Sequence, residues 1–386
     1  MKMVNFFLLL IFYFAFCDVI VYSRQIFHPP LNSRSKIMEK VCKAAVITYN
    51  GQVECREMPL PELKDNEVLV KVHRSLISPG TEMNSPRALR EKPAEDKDYA
   101  GQFGYSSAGE IIAVKGDVKD LKVGMRVACM GGGAKHASYN AVPVNLVVPI
   151  PDNVSYEEAT FASLAATSLQ AVRRTEPQLG EYGIALGLGI VGNLAAQLYQ
   201  ISGARVLCWE ALSSRRAIAR KCGLKNSIDF RKVDAVEESK KFAAPYGVDF
   251  ALMAFGGNAD KAWDSVLKSM KVSADGHQMG RIVAVGGCKF TIGGGAWSGN
   301  VDIRPSSRTG CGYHDPAWEY GKDYPDVFVQ FTSQRNAREL IALIAEKKLK
   351  VTPLITHRLK IEEVGVGCDM LIEHPEKAVG VILEYC

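Results

Sequence analysis

No two of the ten cysteines stand in the C-x-x-C spacing of a zinc knuckle or a redox motif. They are dispersed along 386 residues, so most read as buried thiols rather than as a disulfide or metal framework. Charge of either sign is also in short supply: 47 Lys and Arg against 42 Asp and Glu leave a net charge of +5. The basic residues are scattered, as in "SSRRAIARK" and "AEKKLK", where they alternate with apolar positions as on the solvated face of a helix. That pattern argues against a nucleic-acid groove. There is no long-period repeat, and low complexity is confined to "IGGGAWSGN", residues 292–300, which reads as a loop.

What is present describes a soluble globular α/β protein. Apolar residues make up 47% of the chain and charged residues 23%, with 34 glycines, a composition foreign to fibrous, disordered or multi-span membrane proteins. A chain this long exceeds one ordinary hydrophobic core and predicts two lobes of roughly 100 to 200 residues each. The N-terminus, "MKMVNFFLLLIFYFAFCDVIVYS", joins a lysine to an apolar run and ends near small residues, as signal peptides do, with passable cleavage sites at Ala15-Phe16-Cys17 and Val21-Tyr22-Ser23. An uncleaved anchor is a second reading, weakened by Asp18 within the run. The third is a dispensable extension or a misassigned start, because Met38 opens "MEKVCKAAVITYNG" as an enzyme start would. Localisation follows that choice: secretory pathway or membrane with the leader, cytoplasm with a start at Met38.

From Val41 the chain reads as closely spaced short strands, "KAAVITYN", "QVECREMPL" and "EVLVKVHRSLI", with a turn at Lys64-Asp65-Asn66 and further turn signals to about Pro151. Strands of this kind predict a compact β-barrel or sandwich. The texture then changes. Ser155 with Glu158 three residues on is a helix N-cap signature. Beyond it strands and helices alternate through "YGIALGLG", "NLAAQLYQIS", "ARVLCWE", "SRRAIARKC", "VDFALMAFGG" and "RIVAVGG". Such alternation predicts right-handed βαβ units around a buried parallel sheet. An irregular stretch rich in Gly, Asp, Pro and aromatics, "SSRTGCGYHDPAWEYGKDYPD", precedes a helix, after which come strand-like "PLITHRLKI", a short helix and "AVGVILEY".

The strand "YGIAL" runs into Gly187-Leu188-Gly189-Ile190-Val191-Gly192 and then directly into a helix, which is the context a dinucleotide fingerprint requires. Gly187 allows the tight turn, Gly189 the approach of a pyrophosphate, and Gly192 close packing of helix on strand. Amides at the helix start, around Ile190 and Val191, then face the phosphates. The next strand ends in Glu210, placed to accept hydrogen bonds from the adenosine ribose. Thr167 and Gly286 complete the expected cofactor contacts. Glu210 favours NAD(H); Ser213, Ser214, Arg215 and Arg216 keep NADP(H) as the alternative, with a solvated helix face as the plain reading of the two arginines.

The order of these parts, with "KDNEVLVKV", "VKGDVKDLKVGMRV", "VPIPDNVSYEEAT", "GLGIVG", "RIVAVGG" and "PLITHRLKIEEV", resembles the medium-chain dehydrogenase/reductase superfamily from about Val41 to the C-terminus. The resemblance implies an α/β architecture: a catalytic lobe built on a chaperonin-10-like β-barrel, a Rossmann lobe with a doubly wound parallel sheet, and hydride transfer between them. The implied division is an extension at 1–37, a catalytic domain at 38–160, a Rossmann domain at 161–310, and an insertion, helix and return segment at 311–386. Zinc-dependent members hold catalytic metal with Cys, His and Cys or acidic ligands; the matching positions here are Ser78, Tyr105 and Ser163, all neutral hydroxyls that would bind zinc poorly. The family's four-cysteine lobe is absent too, so no zinc is expected. "SLISPGTE", "GYSSAGE" and the aromatic insertion resemble more closely the zinc-free branch typified by bacterial two-domain oxidoreductases of surface-sugar metabolism, whose second module this chain lacks; bacteriochlorophyllide dehydrogenases share the first two motifs loosely.

Without zinc, hydrogen-bond donors must polarise the substrate oxygen. Tyr105 is the first candidate, with Ser78 and Thr81 orienting the same oxygen. His136 and His314 are alternative proton carriers or substrate contacts, and Arg308 is a candidate for an anionic substrate. Tyr313, Trp318 and Tyr320 suit ring stacking or a lid packed on the cleft. The expectation is a zinc-independent NAD(P)-dependent oxidoreductase acting on a carbonyl, alcohol or activated C=C of a medium-sized polar molecule, and forming a homo-oligomer, a dimer first. Two rivals stand beside it: a nucleotide-binding scaffold or sensor without turnover, and a zinc-dependent alcohol or polyol dehydrogenase with unusual ligands.

Overall fold

A computed structural model describes residues 41–98, 100–294 and 298–385. The leader, anchor and start-site readings of residues 1–37 lie outside the described residues. The strand Glu67–Ile77 organises the first lobe, because its Val68, Val70, Val72, Leu76 and Ile77 are all buried. It pairs antiparallel with Ser106–Lys115 on one side. On the other it pairs with Tyr139–Pro143 along its first half and with the late strand Gly380–Glu384 along its second. Gly380–Glu384 also runs parallel to Ile355–Lys360, so the end of the chain returns to complete the sheet that the beginning starts. A smaller sheet joins Val41–Thr48 to Val53–Pro59 and Ala100–Gln102.

The second lobe is a parallel sheet. In space its strands run Ser227–Ile228, Arg205–Trp209, Tyr182–Leu186, Phe250–Met253, Gln278–Val285 and Asn300–Ser306. Numbered along the chain, that is the order 3-2-1-4-5-6 of a doubly wound Rossmann sheet, which places its ligand crevice where strands 1 and 4 diverge. Trp209 and Met253 both lie in register with Leu186. The carboxyl ends of these three strands are therefore level, and the loops leaving them share one edge.

The capping signature is real but its helix is shorter than the sequence pattern. Ser155 and Glu158 exchange reciprocal bonds, the Ser155 hydroxyl taking the Glu158 N–H and the Glu158 carboxylate the Ser155 N–H. The helix stops at Tyr156–Ala159 because Thr160 turns its hydroxyl back to the Glu157 carbonyl and gives its own carbonyl to the Ser106 hydroxyl. A second helix, Ala162–Thr175, follows; it packs on both Ile190–Ile201 and Ser333–Ala345. One hydrophobic cluster runs from Val70 and Val127 of the barrel through Leu164 and Ala165 to Leu194 and Val283 of the Rossmann lobe. No helix among the described residues is long and apolar enough to cross a membrane.

Candidate active site

Leu186 ends the first parallel strand, and the chain must turn there to send Ile190–Ile201 back along the sheet. Gly187 makes the turn at φ +89°, where an L side chain is strained, and a Cβ on it would lie 2.8 Å from the Ala254 carbonyl oxygen. Gly192 packs so tightly that a Cβ would fall 1.8 Å from the Gly187 oxygen. Gly189 differs. Its φ of −63° suits any residue, and a Cβ there would meet no protein atom within 4 Å. Packing therefore explains two of the three glycines, and the third leaves bare backbone where a diphosphate would have to approach closely. No side chain caps this helix, so the amides of its first turn keep their donors for a ligand, with the positive end of the helix dipole behind them.

Two neighbours frame this turn. The Ser168 hydroxyl bonds the Val191 carbonyl at 2.9 Å, while the hydroxyl of Thr167 turns back to the Ser163 carbonyl of its own helix at 3.3 Å. Gly286, at φ +93°, leaves the end of Gln278–Val285 with its Cβ position 3.4 Å from the Phe255 carbonyl oxygen. Glu210 is 5% exposed and ties two loops together, one oxygen accepting the Leu188 N–H and the other the Leu212 N–H, both at 2.8 Å. Each oxygen retains lone-pair capacity for a ribose hydroxyl. This donor and acceptor set fits a dinucleotide.

The plain reading of Arg215 and Arg216 as a solvated face does not hold, because the carbonyls at this strand end draw both guanidinium groups inward. Arg216 donates to the Glu210 and Ala211 carbonyls and pairs with Asp229 at 3.3 Å. Arg215 lies 3.9 Å from Glu210 Oε2 and donates to the Pro375 carbonyl at 3.1 Å, while its buried Nε has no hydrogen-bond partner.

On the barrel side, Ser75 pairs with Ser107, so the end of Glu67–Ile77 lies beside the start of Ser106–Lys115. This register brings Ser78, Thr81 and Tyr105 together, near enough for the Ser78 and Thr81 hydroxyls to act on the Tyr105 phenol. Tyr105 holds its proton well above the usual phenol range, first because it is buried and then because the Glu82 carboxylate is near; the two hydroxyl partners oppose this only in part. The phenol is thus a neutral hydrogen-bond donor. Glu82 is the residue that sequence reading passed over. Its carboxylate bonds the buried His136 ring, 54 residues away along the chain, and only its place at the end of the "SLISPGTE" stretch signalled it.

The donor set at the positions where zinc-dependent relatives bind metal does not fit zinc. Ser78 is 3% exposed and Ser163 fully buried with no partner for its hydroxyl, and both, like Tyr105, offer a neutral hydroxyl; zinc takes thiolate, imidazole or carboxylate. Among the described residues no three His, Cys, Asp or Glu side chains gather as a metal-binding group.

The remaining expected residues scatter. His136 is 0% exposed with both ring nitrogens engaged, by Ser75 and Glu82, so it meets no substrate directly. Arg308 is exposed and its guanidinium lies 3.4 Å from the Tyr313 carbonyl. Tyr313 and His314 part company: Tyr313 acts on Tyr105 and is itself pushed up to about 12, chiefly by burial. His314 lines a recess of about 570 Å³ on the barrel with Glu67, Lys135 and Tyr320, and that recess includes neither Tyr105 nor any residue of the glycine turn. Trp318 cannot stack on a ligand, because it is 2% exposed and seated against Gly312, whose missing Cβ would fall 2.3 Å from the indole. Tyr320 donates to Glu67 at 2.9 Å.

No family model matches the chain. Sorbitol dehydrogenase from Bacillus subtilis (strain 168) is 30% identical over 259 residues, covering 59% of this chain and 72% of that protein. Among solved structures, an Escherichia coli oxidoreductase/dehydrogenase of unknown specificity superposes with a TM-score of 0.74 at 19% identity, over 89% of this chain and 99% of that one. A protein described as a short chain alcohol dehydrogenase of Escherichia coli CFT073, complexed with NADH, gives 0.67 at 17% identity, over 90% and 100%. Glycine turn, level strand ends and barrel agree with these similarities: the chain belongs to the medium-chain dehydrogenase/reductase family.

Proposed function

We propose that the protein is a zinc-independent oxidoreductase that transfers hydride between NAD(H) and a carbonyl or alcohol of a small polar substrate, polyols and their keto forms being the class to try first. The observation that carries the reading is the bare, uncapped turn at Gly189 held against a buried Glu210. The amides after Gly189 would hold the diphosphate and Glu210 the ribose; its carboxylate repels a 2′-phosphate, which supports NAD(H) over NADP(H). Arg215 would flank the same ribose. The nicotinamide supplies or takes hydride when bound. Tyr105 then donates its hydrogen bond to the substrate oxygen and yields its proton as charge develops there, with Ser78 and Thr81 fixing the hydroxyl. Similarity to a sorbitol dehydrogenase supports the polyol class; the hydroxyl donor set supports placement in a zinc-free branch.

The test is calorimetric binding of NADH and NADPH, followed by oxidation of each reduced cofactor against a panel of ketoses, aldehydes and enones, with metal content measured on the same sample. Binding of NADH with turnover in a metal-free sample is expected. Binding without hydride exchange on any substrate would make the protein a nucleotide sensor, and stoichiometric zinc would end the zinc-independent reading.

A further inference from the structure

Glu82 closes the turn at residues 78–83 from both ends. Its N–H donates to the Ser78 carbonyl at 3.3 Å, and its Oε2 accepts the Ser78 N–H at 2.7 Å. The same Oε2 takes the Nε2–H of His136 at 3.0 Å; His136 Nδ1 lies 2.8 Å from Ser75 Oγ, and Ser75 Oγ 2.8 Å from the Tyr385 hydroxyl. A carboxylate only accepts, so with a neutral imidazole the donors run one way, from Tyr385 through Ser75 and His136 to Glu82. Ser75 and His136 are fully buried, and Glu82 and Tyr385 nearly so. This chain anchors the turn that carries Ser78 and Thr81 to the strands of the barrel.

The second oxygen of Glu82 is buried and has no hydrogen-bond partner. A half-satisfied carboxylate in the interior is destabilising, and packing alone gives no reason for it. Its charge, however, acts on every nearby hydroxyl and thiol: Tyr105, Tyr313, Cys368 and Tyr385 are each held protonated chiefly by burial, with the Glu82 carboxylate adding to the effect. The titratable groups acting on Tyr105 are Glu82 and Tyr313; the one that pairs with Glu82 is His136.

We propose that Glu82, braced by His136, is the positioning residue of the site: one oxygen of its carboxylate holds the turn that presents Ser78 and Thr81 beside the Tyr105 hydroxyl, and the unpartnered second oxygen leaves a negative charge buried there. The inference rests on the reading of Tyr105 given above and names what sets the turn and the charge beside it. It also accounts for the fully buried histidine, whose ring holds the carboxylate in place rather than touching substrate.

A ring-difluorinated tyrosine placed at position 105 ionises low enough to be titrated in the folded full-length protein by fluorine NMR. Glu82→Gln in that background is expected to lower the midpoint by about one pH unit, as loss of one nearby like charge should, and Glu82→Asp to restore it. With the natural tyrosine, Glu82→Gln should leave NADH affinity within about twofold, because the glycine turn is in the other lobe. On a carbonyl that the wild type reduces, Glu82→Ala, which removes the acceptor for the Ser78 N–H, should cut kcat at least about tenfold with little change in KM. An unmoved midpoint in folded Glu82→Gln overturns the proposal. Should that variant fail to fold, a midpoint in the labelled wild-type chain at or below that of the free fluorinated amino acid overturns it equally. Full turnover by Tyr105→Phe would instead remove the role of Tyr105 while leaving the titration result standing, so the two failures are distinct.

Discussion

At the scale of single residues, three substitutions separate chemistry from packing. Gly189→Ala adds a methyl group that meets no protein atom within 4 Å, so thermal stability should stay within about 0.5 kcal/mol of wild type while calorimetric affinity for NADH falls at least about tenfold. Gly192→Ala drives a methyl into the Gly187 carbonyl and should lose both, by about 1–3 kcal/mol of stability for an overpacked contact. Glu210→Ala should shift preference toward NADPH, measured as the ratio of the two dissociation constants, and should lower the melting temperature because the Leu188 and Leu212 amides lose their acceptor. The glycines and Glu210 could be read from sequence because strand, turn, helix and acid are local and evenly spaced. The Glu82–His136 pair could not: 54 residues separate them, and only the register of barrel strands sets them side by side.

At the scale of elements, the aromatic insertion belongs to the barrel. Its Asp315 caps the short helix Pro316–Glu319, and Asn145 donates to the Trp318 carbonyl at 2.7 Å while Lys119 pairs with Asp323 at 2.7 Å. Trp318→Ala should therefore destabilise the protein by about 3–5 kcal/mol, read as a drop in melting temperature, with NADH affinity at low temperature close to wild type. A ligand-stacking tryptophan would behave the other way. Composition alone could not decide this, because an aromatic in a glycine-rich stretch suits both a lid and a buried anchor. What decides it is Gly312, which has no Cβ to collide with the indole. The helix predicted from Ser155 met a similar limit: its start is coded by the capping box, but its early end at Thr160 depends on Ser106, 54 residues upstream and invisible to local pattern.

At the scale of the whole molecule, many protons are held by burial. Cys129 and Cys208 are each pushed up to about 12 and Cys222 to about 11 from an ordinary 9.0, and the Tyr199 phenol is raised as well, in every case chiefly because the charged form would be desolvated. The unfolded chain releases these protons first. The stability they represent is thus intact below about pH 9 and lost as pH climbs through the folded values near 11 to 12. Melting temperature in the presence of reductant should fall progressively across that window; a flat profile there would contradict the buried, neutral state of these groups.

The last paired strand, Gly380–Glu384, lies between two others and meets Glu67–Ile77 along residues more than three hundred positions earlier. During translation the alternating strands and helices of the Rossmann sheet emerge together and can fold as a unit while still tethered to the ribosome. The barrel has no such option. Its central strand keeps the second half of one flank uncovered until Gly380–Glu384 has been made, so the half of the molecule that carries Tyr105 matures after the Rossmann sheet.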